Sequence, residues 1–243
     1  MERSKPVPLA AHYLSPIDVR SLVQAARKTK ADLVTLVTNL ESQVQARRET
    51  LSGHLASLDV KDRLRALDNT VSALKGELKA KTNPQRTVLV RQAQAHKDVA
   101  VRARPLYESA VAMLMRDTIG HDKRSAYLHH LEGSGPQELK SFAALAVATK
   151  DHALAAAVCS KLNLLPARER PVSPKEIAEA LMGELHRELM LGLMEVERLA
   201  YEVAVIDRMF ESNHSSMPAQ DVVKLGLMQK RERAFAEGVR SNA

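Results

Sequence analysis

The chain has 243 residues, of which 45% are apolar and 3% aromatic, with no tryptophan, one cysteine and a net charge of +7. That length is enough for a full core without staples. A core poor in aromatics must be built from Leu, Val, Ala, Met and Ile, a composition of helix bundles rather than sheets. The lone Cys159, beside Ala155, Ala156, Ala157 and Val158, excludes an internal disulfide and reads as a buried, inert thiol.

Residues 1–104 carry 19 Lys and Arg against 10 Asp and Glu, while 105–243 carry 17 against 19, so the basic character belongs to the N-terminal part. No apolar leader opens the chain, and its longest apolar run, Phe142 to Ala148, falls far short of the roughly 20 residues that span a bilayer. The expectation is a soluble protein with no membrane partner, cytoplasmic or inside a particle assembled in the cytoplasm.

In chain order, residues 1–14 read as an extended arm interrupted by Pro6 and Pro8. Ser15-Pro16-Ile17-Asp18 is a helix start, with Ser15 and Asp18 forming a capping box and Pro16 in the first helical position. Val37, Leu40, Val44, Leu51 and Leu58, with Arg47 and His54, follow at heptad spacing. A second seam runs through Val60, Leu64, Leu67, Val71, Leu74 and Leu78. The two seams fall out of step near Ser57-Leu58-Asp59, which favours a tight turn between antiparallel helices over a stutter in one rod. Asn83-Pro84 is expected to end one helix and open the next, and Pro105 to kink that helix or start another, which ends at Gly120.

Three shorter helices follow, Asp122 to Leu131, Pro136 to Thr149 and His152 to Leu165, with Ala-rich faces suited to close packing. After the linker Pro166 to Pro171, Ser173-Pro174-Lys175-Glu176 repeats the capping pattern and opens a helix to about Glu211. Its seam is Leu189, Gly192, Val196, Leu199, Val203, Ile206 and Phe210, and between Lys175 and Glu211 it has 9 acidic and 4 basic residues. Gly183 and Gly192 inside this helix imply a partner backbone passing close by. Pro218 starts a last helix to about Val239.

These readings give an all-α, elongated helical bundle with long N-terminal and C-terminal helices around a smaller Ala-rich subdomain. Four regions result: the arm 1–14, a basic, coiled-coil-like region 15–119, a compact Ala-rich subdomain 120–166, and a long acidic helix with a C-terminal helix over 173–243.

No constellation of residues argues for chemistry. His121, His129 and His130 lie near Asp117, Asp122 and Glu132 but lack ligand spacing on one helical face. Glu211-Ser212-Asn213-His214 is the one Glu-x-x-His spacing, where a di-metal bundle needs two. Glu184 and Glu188 fit a solvated face, Cys159 and His152 share a helix without nucleophile context, and Gly133-Ser134-Gly135-Pro136 is a turn rather than a phosphate loop. No cofactor, metal or catalytic residue is expected.

Two readings remain. In the first, the chain is a non-enzymatic structural protein that self-associates or joins a larger complex through Val37, Leu40, Val44, Leu51, Leu64, Leu67, Val71 and Leu74 and the seam Leu189 to Phe210. A virion or other nucleoprotein particle suits that character. In the second, Lys75, Lys79, Lys81, Arg86, Arg91, Lys97, Arg102 and Arg104 neutralise phosphates along a duplex without reading sequence. The segment has no aromatic residue for stacking on single strands.

Overall fold

The computed structural model describes residues 13–213 and 216–238, so most of the proposed arm, 1–12, lies outside the described residues. Eight α-helices and short 3-10 turns are present among the described residues, with no strand, and the chain is an all-α helical bundle protein.

The first helix, α1 (Pro16–His54), starts at the capping box, where Ser15 Oγ accepts from the Asp18 amide at 3.2 Å and Asp18 Oδ2 accepts from the Ser15 amide at 3.0 Å. It stops one residue past Gly53. The second helix, α2 (Val60–Ala103), opens on Asp59, whose carbonyl accepts from the Arg63 amide at 2.8 Å and whose carboxylate accepts from Lys61 at 3.3 Å. The break between the seams is therefore a turn.

Pro84 does not end a helix, contrary to the sequence expectation: α2 runs through it. A proline inside a helix removes one donor and crowds the carbonyl four residues back. Here the neighbouring turn gains other donors, Thr82 Oγ1 to the Leu78 carbonyl at 2.7 Å and Arg86 Nη2 to the Lys79 carbonyl at 3.4 Å. Thr82, Arg86 and Ala93 are buried around it, so tertiary packing overrides local preference.

A 3-10 turn, Arg104–Tyr107, absorbs Pro105, and α3 (Ala110–Asp117) follows with Ser109 as its cap. Then come α4 (Asp122–His130), α5 (Pro136–Thr149), α6 (His152–Leu164), α7 (Pro174–Ser212) and α8 (Ala219–Gly238).

The chain divides into two compact units, and the divisions fall inside long helices rather than at loops. One unit comprises Arg20–Ala100 and Met194–Ala234. It is a bundle of four rods that alternate in direction. Arg27 reaches Glu195 at 2.8 Å and Lys30 reaches Glu202 at 2.5 Å, so α1 and α7 run the same way. Thr29 meets His96 at one level while Leu40 and Val44 share a groove with Val71 and Leu78 at another, so α2 runs back. Arg198 pairs with Glu232 and Arg208 with Asp221, so α8 runs antiparallel to α7. Leu33, Val37, Ala93, Ala200 and Val203 form the centre of this bundle. Full burial of each Leu or Val contributes roughly 1.5–3 kcal/mol.

The other unit contains Val101–Leu193, with the described residues flanking it at 13–19 and 235–238. Its hub is α6, which packs against α3, α4 and α5 and buries every residue from Ala153 to Cys159. Alanines suit that place because three neighbouring helices can approach an unbranched, short side chain. Gly183 was expected to admit a passing backbone, but a Cβ there would meet only Glu179 of its own helix, at 3.8 Å. No close approach explains that glycine.

Candidate functional site

The eight cations proposed for phosphate contact do not form one surface. Arg86 is 1% exposed and turned into the bundle, where its Nη1 pairs with Asp207 at 2.5 Å, its Nη2 pairs with Glu211, and its guanidinium stacks 4.9 Å from the Phe210 ring. It is therefore not offered to a polyanion, a correction to the sequence reading. The reason lies in charge pairing across helices: α7 brings two carboxylates to the level of Arg86.

Lys79 belongs to the same cluster, donating to the Glu211 carbonyl at 2.6 Å and lying 5.7 Å from the Phe210 ring centroid. Lys75 lines the adjoining groove with Arg48 and Glu41, a space of about 270 Å³ floored by Leu40, Val44 and Phe210. Lys97 and Arg104 are half-buried. Lys81, Arg91 and Arg102 are exposed, and helical geometry places Lys81 and Arg91 on the face of α2 opposite Arg86 and Ala93.

The seam positions divide among buried, half-buried and exposed places. Val37, Leu40, Leu67, Leu189, Val196, Leu199 and Val203 are buried within their own chain. Val44, Leu51, Val71, Leu74, Gly192, Ile206 and Phe210 are half-buried, and Leu64 is exposed. Heptad spacing signals a helix partner but carries no label for whether that partner lies in the same chain. Seven of these fifteen positions are therefore buried within the chain.

Exposed large apolar side chains are spread along the chain, at Ile17, Val34, Val88, Val99, Val101, Leu145 and Leu164 among others, and two sequence-local groups of three stand among them: Leu58, Val60 and Leu64 at the α1–α2 turn, and Val222 (53%), Val223 (62%) and Leu227 (62%) on α8. Sequence reading missed the α8 group because α8 has no clean apolar stripe. Its buried side carries Asp221, half-buried Glu232 and Leu225, and the apolar residues opposite look like part of an ordinary core face.

A second charge network also escaped the sequence. Glu202 forms an ion pair with Lys30 at 2.5 Å and accepts from Arg198 at 2.7 Å, and Arg198 also donates to Glu232 at 2.9 Å. Burial raises the Glu202 pKa, but these two cations outweigh it and hold the carboxyl below the usual range. Glu232 goes the other way, raised by burial and by Glu195 and Glu202 nearby.

His121 precedes α4 at its N-cap, His129 lies 3.4 Å from Glu132, and His152 lies 3.2 Å from Asp117. No group of three or more potential metal ligands gathers among the described residues. Glu211 is committed to Arg86, and His214 of the Glu-x-x-His spacing lies outside the described residues. Cys159 is fully buried, its sulfur 3.7 Å from the Pro174 carbonyl, and burial pushes its pKa up to about 11. It is thus protonated at neutral pH and a poor nucleophile. Glu184 and Glu188 are exposed.

No family model, curated protein or solved structure matches this chain. No described helix is long and apolar enough to cross a membrane.

Proposed function

We propose that the chain is a non-enzymatic helical assembly protein whose contacts with further copies use the exposed apolar residues of α8 and the α1–α2 turn. The observation that supports this is the exposure of Val222, Val223 and Leu227 on a helix held by the bundle through Leu225 and Asp221. Exposed apolar side chains scattered singly need no explanation, whereas a group on one helix face is the usual mark of an interaction surface. A virion or other nucleoprotein particle is the kind of assembly that a basic helical subunit of this size suits.

Light scattering of the full chain at low and high salt tests the proposal. The expected result is an oligomer that resists salt and is reduced to monomer by Val223→Glu with Leu227→Glu, or by Leu58→Glu with Leu64→Glu. A wild-type monomer in both salts would overturn it.

A second reading rests on Lys81 and Arg91, which stay exposed on one face of α2. It is phosphate-backbone contact without sequence recognition. Charge reversal at these two positions is expected to abolish duplex binding while leaving the oligomer intact; unchanged duplex affinity removes this reading.

A further inference from the structure

The Ala-rich unit contains a cavity of about 650 Å³ whose floor is apolar. Tyr107, Met113, Met182 and Leu189 line it at 0–5% exposure, while Tyr13 and Ile119, 50% and 73% exposed, stand at its edge. Such a volume falls within the range that takes a small organic molecule. One cation lines it, Arg116.

The guanidinium of Arg116 lies between two rings, 5.2 Å from the Tyr13 centroid and 4.8 Å from that of Tyr107. Its Nη1 donates to the Leu106 carbonyl at 2.7 Å. Those contacts fix the group in place, yet none of them is a carboxylate. Asp117 also lines the cavity but hydrogen-bonds His152 at 3.2 Å, and Asp18 is engaged by Ser15. The Tyr107 hydroxyl donates to the Leu14 carbonyl, and His186 Nε2 donates to the Tyr107 carbonyl at 2.7 Å, so both are already committed.

We infer that this cavity is a binding site for a small apolar monoanion, a carboxylate on an aliphatic or aromatic body, with Arg116 holding the anionic end. A guanidinium pre-positioned by stacking loses little freedom on meeting a planar carboxylate, and its fork matches that group. One cation beside one carboxylate favours a single negative charge over a polyphosphate. The apolar floor takes the body of the ligand, with the anion near the edge, where it stays partly solvated. This site lies in a different unit from Val222, Val223, Leu227 and the α1–α2 turn and does not depend on assembly.

The test uses decanoate, decan-1-ol and decylamine as probes on the full chain, read by titration calorimetry and melting temperature. Decanoate is expected to bind about tenfold more tightly than the alcohol, the difference one charge-assisted hydrogen-bonding end group makes. Arg116→Met should bring the two probes to equal affinity. Ile119→Glu places a like charge at the exposed edge without touching the core, and should weaken decanoate about tenfold while leaving decanol within about twofold. That second variant keeps the inference testable should Arg116→Met fail to fold. Equal affinity of decanoate and decanol for the wild type, no saturable decanoate binding, or decanoate affinity unmoved by Ile119→Glu would each overturn it.

Discussion

Arg86 is a buried cation whose two carboxylate partners are partly exposed: Asp207 at 25% and Glu211 at 47% of their side-chain surface. Its Nε–H has no acceptor among the described residues, so the desolvation of this guanidinium is only partly compensated. The asymmetry decides which substitution is worse. Asp207→Asn leaves the buried charge underpaired and is expected to cost about 3 kcal/mol. Arg86→Met removes the buried charge and returns both carboxylates to water, so its cost should be less than half as large. Urea melts of the two variants check this order, and a larger loss for Arg86→Met would show that packing on Phe210, rather than charge burial, dominates the cluster.

At the scale of elements, the long helices carry positions where local preference loses to context and others where nothing in the surroundings requires the residue found. Pro84 is of the first kind: α2 continues through it because Thr82, Arg86 and Ala93 hold both flanks in the bundle. Gly76 and Gly183 are of the second. A Cβ at Gly76 would meet nothing within 4 Å, and one at Gly183 would make an ordinary contact at 3.8 Å with Glu179. Gly76→Ala and Gly183→Ala are each expected to raise stability by about 1 kcal/mol, through helix propensity and a less flexible unfolded chain. A loss of stability at either position, read from the urea midpoint, would mean that the glycine serves a contact outside this chain.

For the molecule as a whole, each unit holds a histidine whose imidazole is kept neutral. Burial lowers the pKa of His96, which faces Thr29 in the four-rod bundle. Burial also lowers that of His186, more than its hydrogen bond to Tyr107 and the nearby Glu179 raise it, with Arg187 adding to the depression. A depressed histidine binds protons more readily when unfolded, so the stability it contributes is present above the ordinary value of 6.5 and falls as pH drops below it. Denaturant melts between pH 7.5 and 5.5 should show falling stability, with a shallower slope for His96→Gln combined with His186→Gln. An unchanged slope in the double variant would assign the acid sensitivity to carboxylates.

Fold class and the element order, apart from the helix that continues through Pro84, were legible in the residues themselves. Ser15 with Asp18, Ser173 before Pro174 and the Gly133-Ser134-Gly135-Pro136 turn state their structural roles locally, because caps and turns are satisfied by groups a few residues away. Heptad spacing along α1, α2 and α7 likewise announced that these helices have partners. The identity of those partners was settled only by the tertiary structure. Burial of Leu33, Val37 and Val203 together, the turning of Arg86 into α7, the exposure of Val223 and Leu227, and the gathering of Tyr13, Tyr107 and Arg116 around one cavity all join residues far apart in the chain. Periodicity fixes which face of a helix is apolar, but a charge or a leucine acquires its role from whatever packs against it. That is decided by the arrangement of whole helices, which local sequence does not encode.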